Sequence, residues 1–341
     1  QLMAWTAAAL FCAVNLWKTS PKTTPPRVRW AWLVATALTG VFAILIKWTA
    51  GVGPLLIAGA SVFGIYSVTH RDRIRRRRPA LSPVECAVAG AIAVFVYVLF
   101  FALHFLLLPL SGDGDAFMKD EWKRARPSSS FYTKDAVAPS FLSTFLYLNY
   151  SMYARSAGIV ATHNWATHWY QWIANSRGLM YFRRIADIRN MRLMYLLVNP
   201  FVAWCILAFL VAYVGVALYA AVCCVTRKKS LVPSLEPSVD VRRRFLAIGG
   251  MFWAGYWLNL LPYIPVKRPA FSYHYMPSVL YGELVTAIAI DSLPQRRHRW
   301  IGSCVVFALT FAAFVHWSDW IYGVSRAPQI HERLRWLRHW D

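Results

Sequence analysis

Long apolar runs, broken by short basic connections, set what this chain can become. Residues 86–110 contain no Asp, Glu, Lys or Arg. A helix needs about 20 mostly apolar residues to cross roughly 30 Å of hydrocarbon. Eight segments fit that requirement or approach it: 3–17, 30–48, 51–69, 86–110, 194–225, 244–263, 273–291 and 300–322. The expected fold is therefore all-α, a polytopic transmembrane helix bundle of about eight spans. Gly51-Val52-Gly53-Pro54 marks a turn between the second and third segments. The fifth segment is long enough to tilt in the bilayer.

Composition agrees with this. Charged residues make up only 15% of the chain, against about 25% in soluble domains. The net charge of +22 does not point to nucleic acid, because the basic residues lie between apolar runs. It reads as the positive-inside bias of membrane proteins. Lys18, Lys22, Arg27 and Arg29 sit in one connection; Arg71, Arg73 and Arg75–Arg78 sit in another. Arg227, Lys228, Lys229, Arg242 and Arg243 fall in a third, and Arg296, Arg297 and Arg299 in a fourth. These four connections are assigned to the cytosolic side. The opposite side then holds the 49–52 turn, the long 111–193 segment, the 264–272 connection and the C-terminal tail. The expected organisation is 1–110, N-terminal spans with a truncated start; 111–193, a luminal segment with an interfacial helix over 140–160; 194–322, C-terminal spans; and 323–341, a basic luminal tail. The chain opens at Gln1 inside an apolar run, as expected of a fragment or a processed product. Cys12, Cys86, Cys205, Cys223, Cys224 and Cys304 lie in or at the edges of apolar runs and form no CxxC pair. They read as small hydrophobes rather than zinc ligands or disulfides.

Four places carry chemistry-bearing residues. Ser111-Gly-Asp-Gly-Asp-Ala-Phe-Met118 sets Asp113 and Asp115 between glycines. It lacks the later Glu of a calcium loop, and a glycine turn capped by carboxylates explains it as well. His163, Trp165, Trp169 and Trp172 combine rings with polar donors, as a sugar or a lipid headgroup requires; an interfacial aromatic belt explains them equally. His163 and His168 are five residues apart and share no helical face, so no metal is expected. Lys267-Arg268 on the non-cytosolic rim suits a phosphate, and His274-Tyr275 follow at the start of the next span. Lys47 is the single cation of its apolar hairpin, fit either to reach the interface or to pair with an anionic ligand. Glu283 is a further carboxylate inside a span. Asn149-Tyr150-Ser151 is a glycosylation sequon whose closeness to the membrane argues against its use.

Taken together and in order, these stretches resemble the dolichyl-phosphate-mannose protein O-mannosyltransferases, a family with a C-type glycosyltransferase fold. Leu38 to Trp48 resembles its Lys-Trp span. Ser111–Met118 is similar to the loop preceding its luminal domain. His163–Trp172 resembles its His-Pro-aromatic-x-Ser-x-Trp-x-x-Trp-Pro motif, with Asn164, Thr167 and Ile173 at the positions of Pro, Ser and the last Pro. Phe271–Pro277 is similar to its aromatic-x-His-His/Tyr-Tyr-Leu-Pro stretch, and Asn199-Pro200 matches an Asn-Pro at a span start. The resemblance covers roughly residues 30–290.

It implies transfer of mannose from dolichyl phosphate mannose to Ser or Thr of an acceptor protein in the endoplasmic reticulum. Lys47, His163, Trp165, Trp169, Trp172, Arg268, His274 and Tyr275 would meet the lipid phosphate or the sugar. No tightly bound cofactor is implied, and membrane lipids and further membrane subunits are the expected partners. The family's catalytic Asp-Glu pair belongs to a loop upstream of all these stretches, so no residue here is assigned as the base. Its β-trefoil insertion is also missing, since Met118 and Ser140 are only about twenty residues apart. The alternative is a catalytically inactive accessory subunit that keeps the fold.

Overall fold

The computed structural model describes residues 1–63, 79–159, 162–187, 189–226, 239–266, 268–293 and 295–340. The arginine run at 75–78, most of the 226–238 connection and Lys267 lie outside the described residues. Helices α1 (Leu2–Lys18), α2 (Pro26–Ile46), α3 (Val52–Phe63) and α4 (Pro83–Leu107) form the first group. α5 (Asp120–Arg124), α6 (Phe141–Ala157) and α7 (Trp169–Ile173) follow in the long connecting segment. A hairpin of β1 (Leu179–Ile185) and β2 (Met191–Leu196) leads to α8 (Pro200–Thr226), α9 (Val239–Leu260), α10 (Met276–Asp291) and α11 (Arg296–His316). Short helices α12 (Ser318–Tyr322) and α13 (Pro328–Arg333) end the chain.

Each of the eight expected segments contains a helix. Among the described residues four are long and apolar enough to cross a membrane: Pro26–Ile46, Pro83–Leu107, Pro200–Cys223 and Arg296–His316. α3 is described only as far as Phe63. α1 has 17 residues and α10 has 16, and α9 opens on Val-Asp-Val-Arg-Arg-Arg. Helix is the expected solution in lipid, because it satisfies every backbone donor and acceptor within one segment.

The fifth segment starts later than its apolar run suggests. Residues 194–196 belong to β2, and the helix begins at Pro200. The Asn199 carboxamide oxygen accepts from the Phe201 and Val202 amides at 3.1 and 3.3 Å. An Asn cap followed by Pro in the first turn fixes the helix start there.

α1 packs on α2, α2 on α4, α9 on α10, and α10 on α8. The main core joins Leu10 and Trp17 of α1, Ile206 of α8, Met251 and Tyr256 of α9, and Tyr281 of α10. α9 approaches α10 closely at Gly255, where an added Cβ would lie 2.5 Å from the Tyr281 ring. Small residues at such crossings let apolar helices touch without a hydrophobic driving force.

At one end of the bundle, Arg29 is 5% exposed. It forms a two-pronged pair with Glu85 of α4, with its Nη2 2.9 Å from Oε2. It also donates to the Thr19 hydroxyl (2.9 Å) and the Ala80 carbonyl (2.7 Å). Glu85 closes a capping box with Ser82. Sequence counting makes Arg29 one more connection cation; in the structure it fastens the starts of α2 and α4 to the end of α1.

At the other end, the tail folds back over the hairpin. Trp317, Trp320 and Trp340 pack with Leu193 and Tyr195 of β2. The Trp340 indole donates to the Asn175 carbonyl at 2.8 Å. His331, 1% exposed, accepts from the Trp320 indole at 3.2 Å through Nδ1, so its Nε2 carries the proton given to the Met191 carbonyl at 3.0 Å.

Candidate functional site

α2 stops at Ile46 because Lys47 takes an extended backbone (φ −160°, ψ 127°), and a 3₁₀ turn, Trp48–Gly51, follows. This turn brings Lys47 to a second one, Ser272–Tyr275, which opens α10. The Lys47 ammonium lies 5.4 Å from the Tyr273 ring centre, and that ring stacks on His274 at 4.4 Å. Lys47 and Arg268 share a cavity of about 610 Å³ with Trp48, Thr49, Tyr153 and Ser156. Among the described residues no carboxylate lines it. Neither cation belongs to an ion pair among the described residues. Two cations 221 positions apart in sequence (268 minus 47) therefore face one space without a counter-ion.

A larger cavity, about 1260 Å³, adjoins the first and shares Leu45, Met152 and Ser156 as walls. Phe100, Phe101 and Phe105 of α4 make it strongly apolar. Asp115 and Arg155 are among its few polar walls. A small charged space opening onto a long apolar one suits a molecule with an anionic head and a hydrocarbon tail.

The aromatic motif divides. His163 meets Phe271 edge-on at 5.1 Å and holds the Trp165 amide through Nδ1, so it reaches the Tyr273–His274 turn. Thr167 donates its amide to the Ala270 carbonyl at 2.7 Å and its hydroxyl accepts from the Trp172 indole at 2.7 Å. Trp172 is 1% exposed and lies against His274, Tyr263 and Tyr275. It positions the His274 turn and offers no face to a ligand. Tyr275 is equally buried, its hydroxyl 2.7 Å from that of Tyr256. Trp169 packs against the main core, while Trp165 packs with Tyr195 in the second cluster, away from Lys47.

The remaining carboxylates do not join the cation pair. Asp113 is exposed in a 3₁₀ turn, and the Asp115 carboxylate accepts from the Ser111 hydroxyl. Glu283 lines a separate cavity of about 420 Å³ with residues of α8 and α11. Asn149 of the sequon is held within α6, donating to the Phe145 carbonyl at 2.8 Å and accepting from Tyr97 at 2.6 Å. Tyr153 and Ser156, which wall the cation cavity, escape sequence reasoning: one Tyr and one Ser near the end of an interfacial helix look like any others.

The family description "C-terminal four TMM region of protein-O-mannosyltransferase" matches residues 141–340, more than half of the chain. The chain belongs to the protein O-mannosyltransferase family. It is an integral membrane protein with the mostly helical membrane fold of that family. Protein O-mannosyl-transferase 2 of Drosophila melanogaster is 24% identical over 278 residues, covering 66% of this chain and 35% of the fly protein. Dolichyl-phosphate-mannose--protein mannosyltransferase 1 of Saccharomyces cerevisiae is 26% identical over 208 residues, covering 59% of this chain and 24% of the yeast protein. The chain thus spans about a third or less of the length of these curated relatives. The structure of the S. cerevisiae protein O-mannosyltransferase Pmt1-Pmt2 complex bound to the sugar donor superposes with a TM-score of 0.76. That match has 14% identity and covers 100% of this chain and 73% of the yeast chain; at this identity it shows the fold.

Proposed function

We propose that this chain is the donor-binding membrane part of an enzyme that moves mannose from dolichyl phosphate mannose to Ser or Thr hydroxyls of proteins, in the endoplasmic reticulum membrane. The observation that carries this reading is the pair Lys47 and Arg268, without a counter-ion among the described residues, in one cavity beside an apolar space of about 1260 Å³. Transfer breaks the bond between the anomeric carbon and the phosphate oxygen. The phosphate leaves as an anion, and preorganised cations in a water-poor site stabilise the charge that develops there. Exposed rings of Trp48 and Tyr153 at the cavity wall offer stacking faces to a sugar. The acceptor hydroxyl must give up its proton to a base as it attacks.

No described carboxylate lines the cation cavity. This favours a second reading, in which the chain holds the donor lipid while another segment or a partner chain supplies the base. The purified chain, given dolichyl phosphate mannose and a Ser/Thr peptide, distinguishes the two. Transfer by the chain alone, lost in Arg268→Ala and His163→Ala, supports complete catalysis. Donor binding without transfer supports the accessory role. Absence of donor binding contradicts both.

A further inference from the structure

The β1–β2 hairpin carries charge that the donor site does not use. In its antiparallel register Arg184 stands directly opposite Arg192, and Phe182 opposite Met194, on the same face. Like charges paired across strands destabilise a sheet, and both arginines are exposed. Arg183 and Arg189 add to the same hairpin. Asp187 is its sole acid, and its carboxylate is committed to the turn, accepting from the Arg189 amide at 2.7 Å and the Asn190 carboxamide at 3.1 Å. None of the four arginines is in an ion pair among the described residues. Apolar side chains share the face of the Arg184–Arg192 pair: Phe182 is 40% exposed and Met194 39%.

Position identifies the partner. Three residues separate the end of β2 from the spanning helix α8, and the strand's Leu193 and Tyr195 pack on Trp317, the residue that follows the spanning helix α11. The hairpin body thus lies at the depth where two spans leave the hydrocarbon. An exposed mixture of aromatic, aliphatic and arginine side chains at that depth matches anionic headgroups and the upper acyl region. We propose that the hairpin docks on anionic lipids of the leaflet it overlies, with Arg184 and Arg192 sharing a headgroup phosphate and Phe182 and Met194 entering the interface. The proposal does not rest on the donor site.

The test places p-benzoylphenylalanine at Phe182 in the full chain, reconstituted in nanodiscs of phosphatidylcholine, with or without phosphatidylserine. Irradiation should give lipid adducts on the hairpin peptide that are enriched in phosphatidylserine. Arg184→Gln with Arg192→Gln should lower that enrichment roughly 30-fold, from about 1 kcal/mol per arginine near an anionic surface. Arg184→Lys with Arg192→Lys keeps the charge and should keep most of the enrichment, which separates lost docking from lost folding. Equal adducts with and without phosphatidylserine would overturn the proposal. So would absence of lipid adducts, including the case where the hairpin binds soluble polyglutamate instead.

Discussion

Arg29→Ala is expected to cost about 3–5 kcal/mol of stability, the largest single-residue effect on folding anticipated for this chain. The substitution leaves the Glu85 carboxylate, 13% exposed, without its guanidinium. It also strips the Ala80 carbonyl and the Thr19 hydroxyl of donors. A buried pair broken on one side costs more than a pair removed whole. Arg29→Met combined with Glu85→Leu should therefore recover much of the loss. Thermal melts in detergent of both variants check this; equal destabilisation by the single and double changes would mean that the pair is not what holds α2 to α4.

Lys47→Ala with Arg268→Ala is expected to have the largest effect on ligand binding. In the proposed site each cation would give the lipid phosphate a charge-assisted hydrogen bond worth about 1.5–3 kcal/mol. Loss of one should weaken binding of dolichyl phosphate roughly tenfold to a hundredfold. Loss of both should leave little beyond the contribution of the apolar groove. Native mass spectrometry or radiolabelled lipid binding measures this. Because neither cation has an ion-pair partner among the described residues, removing both should lower the melting temperature little. A binding loss accompanied by unfolding would not fit.

The sequence discloses the helical membrane class fully, because apolar runs such as 86–110 have few other uses. It discloses the family through short stretches, Lys47-Trp48 and Phe271–Pro277 among them, that lie far apart in the chain. It does not disclose which motif residues face a ligand. Trp172 and Trp165 look alike in the sequence; one is buried against His274 and the other belongs to the tail cluster. Burial is decided by contacts more than a hundred positions away, such as Thr167 with Ala270, and local pattern carries no trace of them. The hairpin is hidden for a similar reason. Met191–Leu196 merges with the apolar run that follows, and only the Asn199-Pro200 start separates strand from span. The basic tail reads as a free end until Trp340 is seen to close on Asn175.

A dolichyl phosphate carrying a photoreactive group next to the phosphate would locate the headgroup directly. After irradiation in nanodiscs, adducts should fall on residues 45–49, on Met152, Tyr153 and Ser156, and on Pro265, Val266 and Arg268, the walls around Lys47 and Arg268. Adducts confined to the Arg29 end of the bundle, or to the cavity around Glu283, would contradict the assignment of the phosphate to this cation pair.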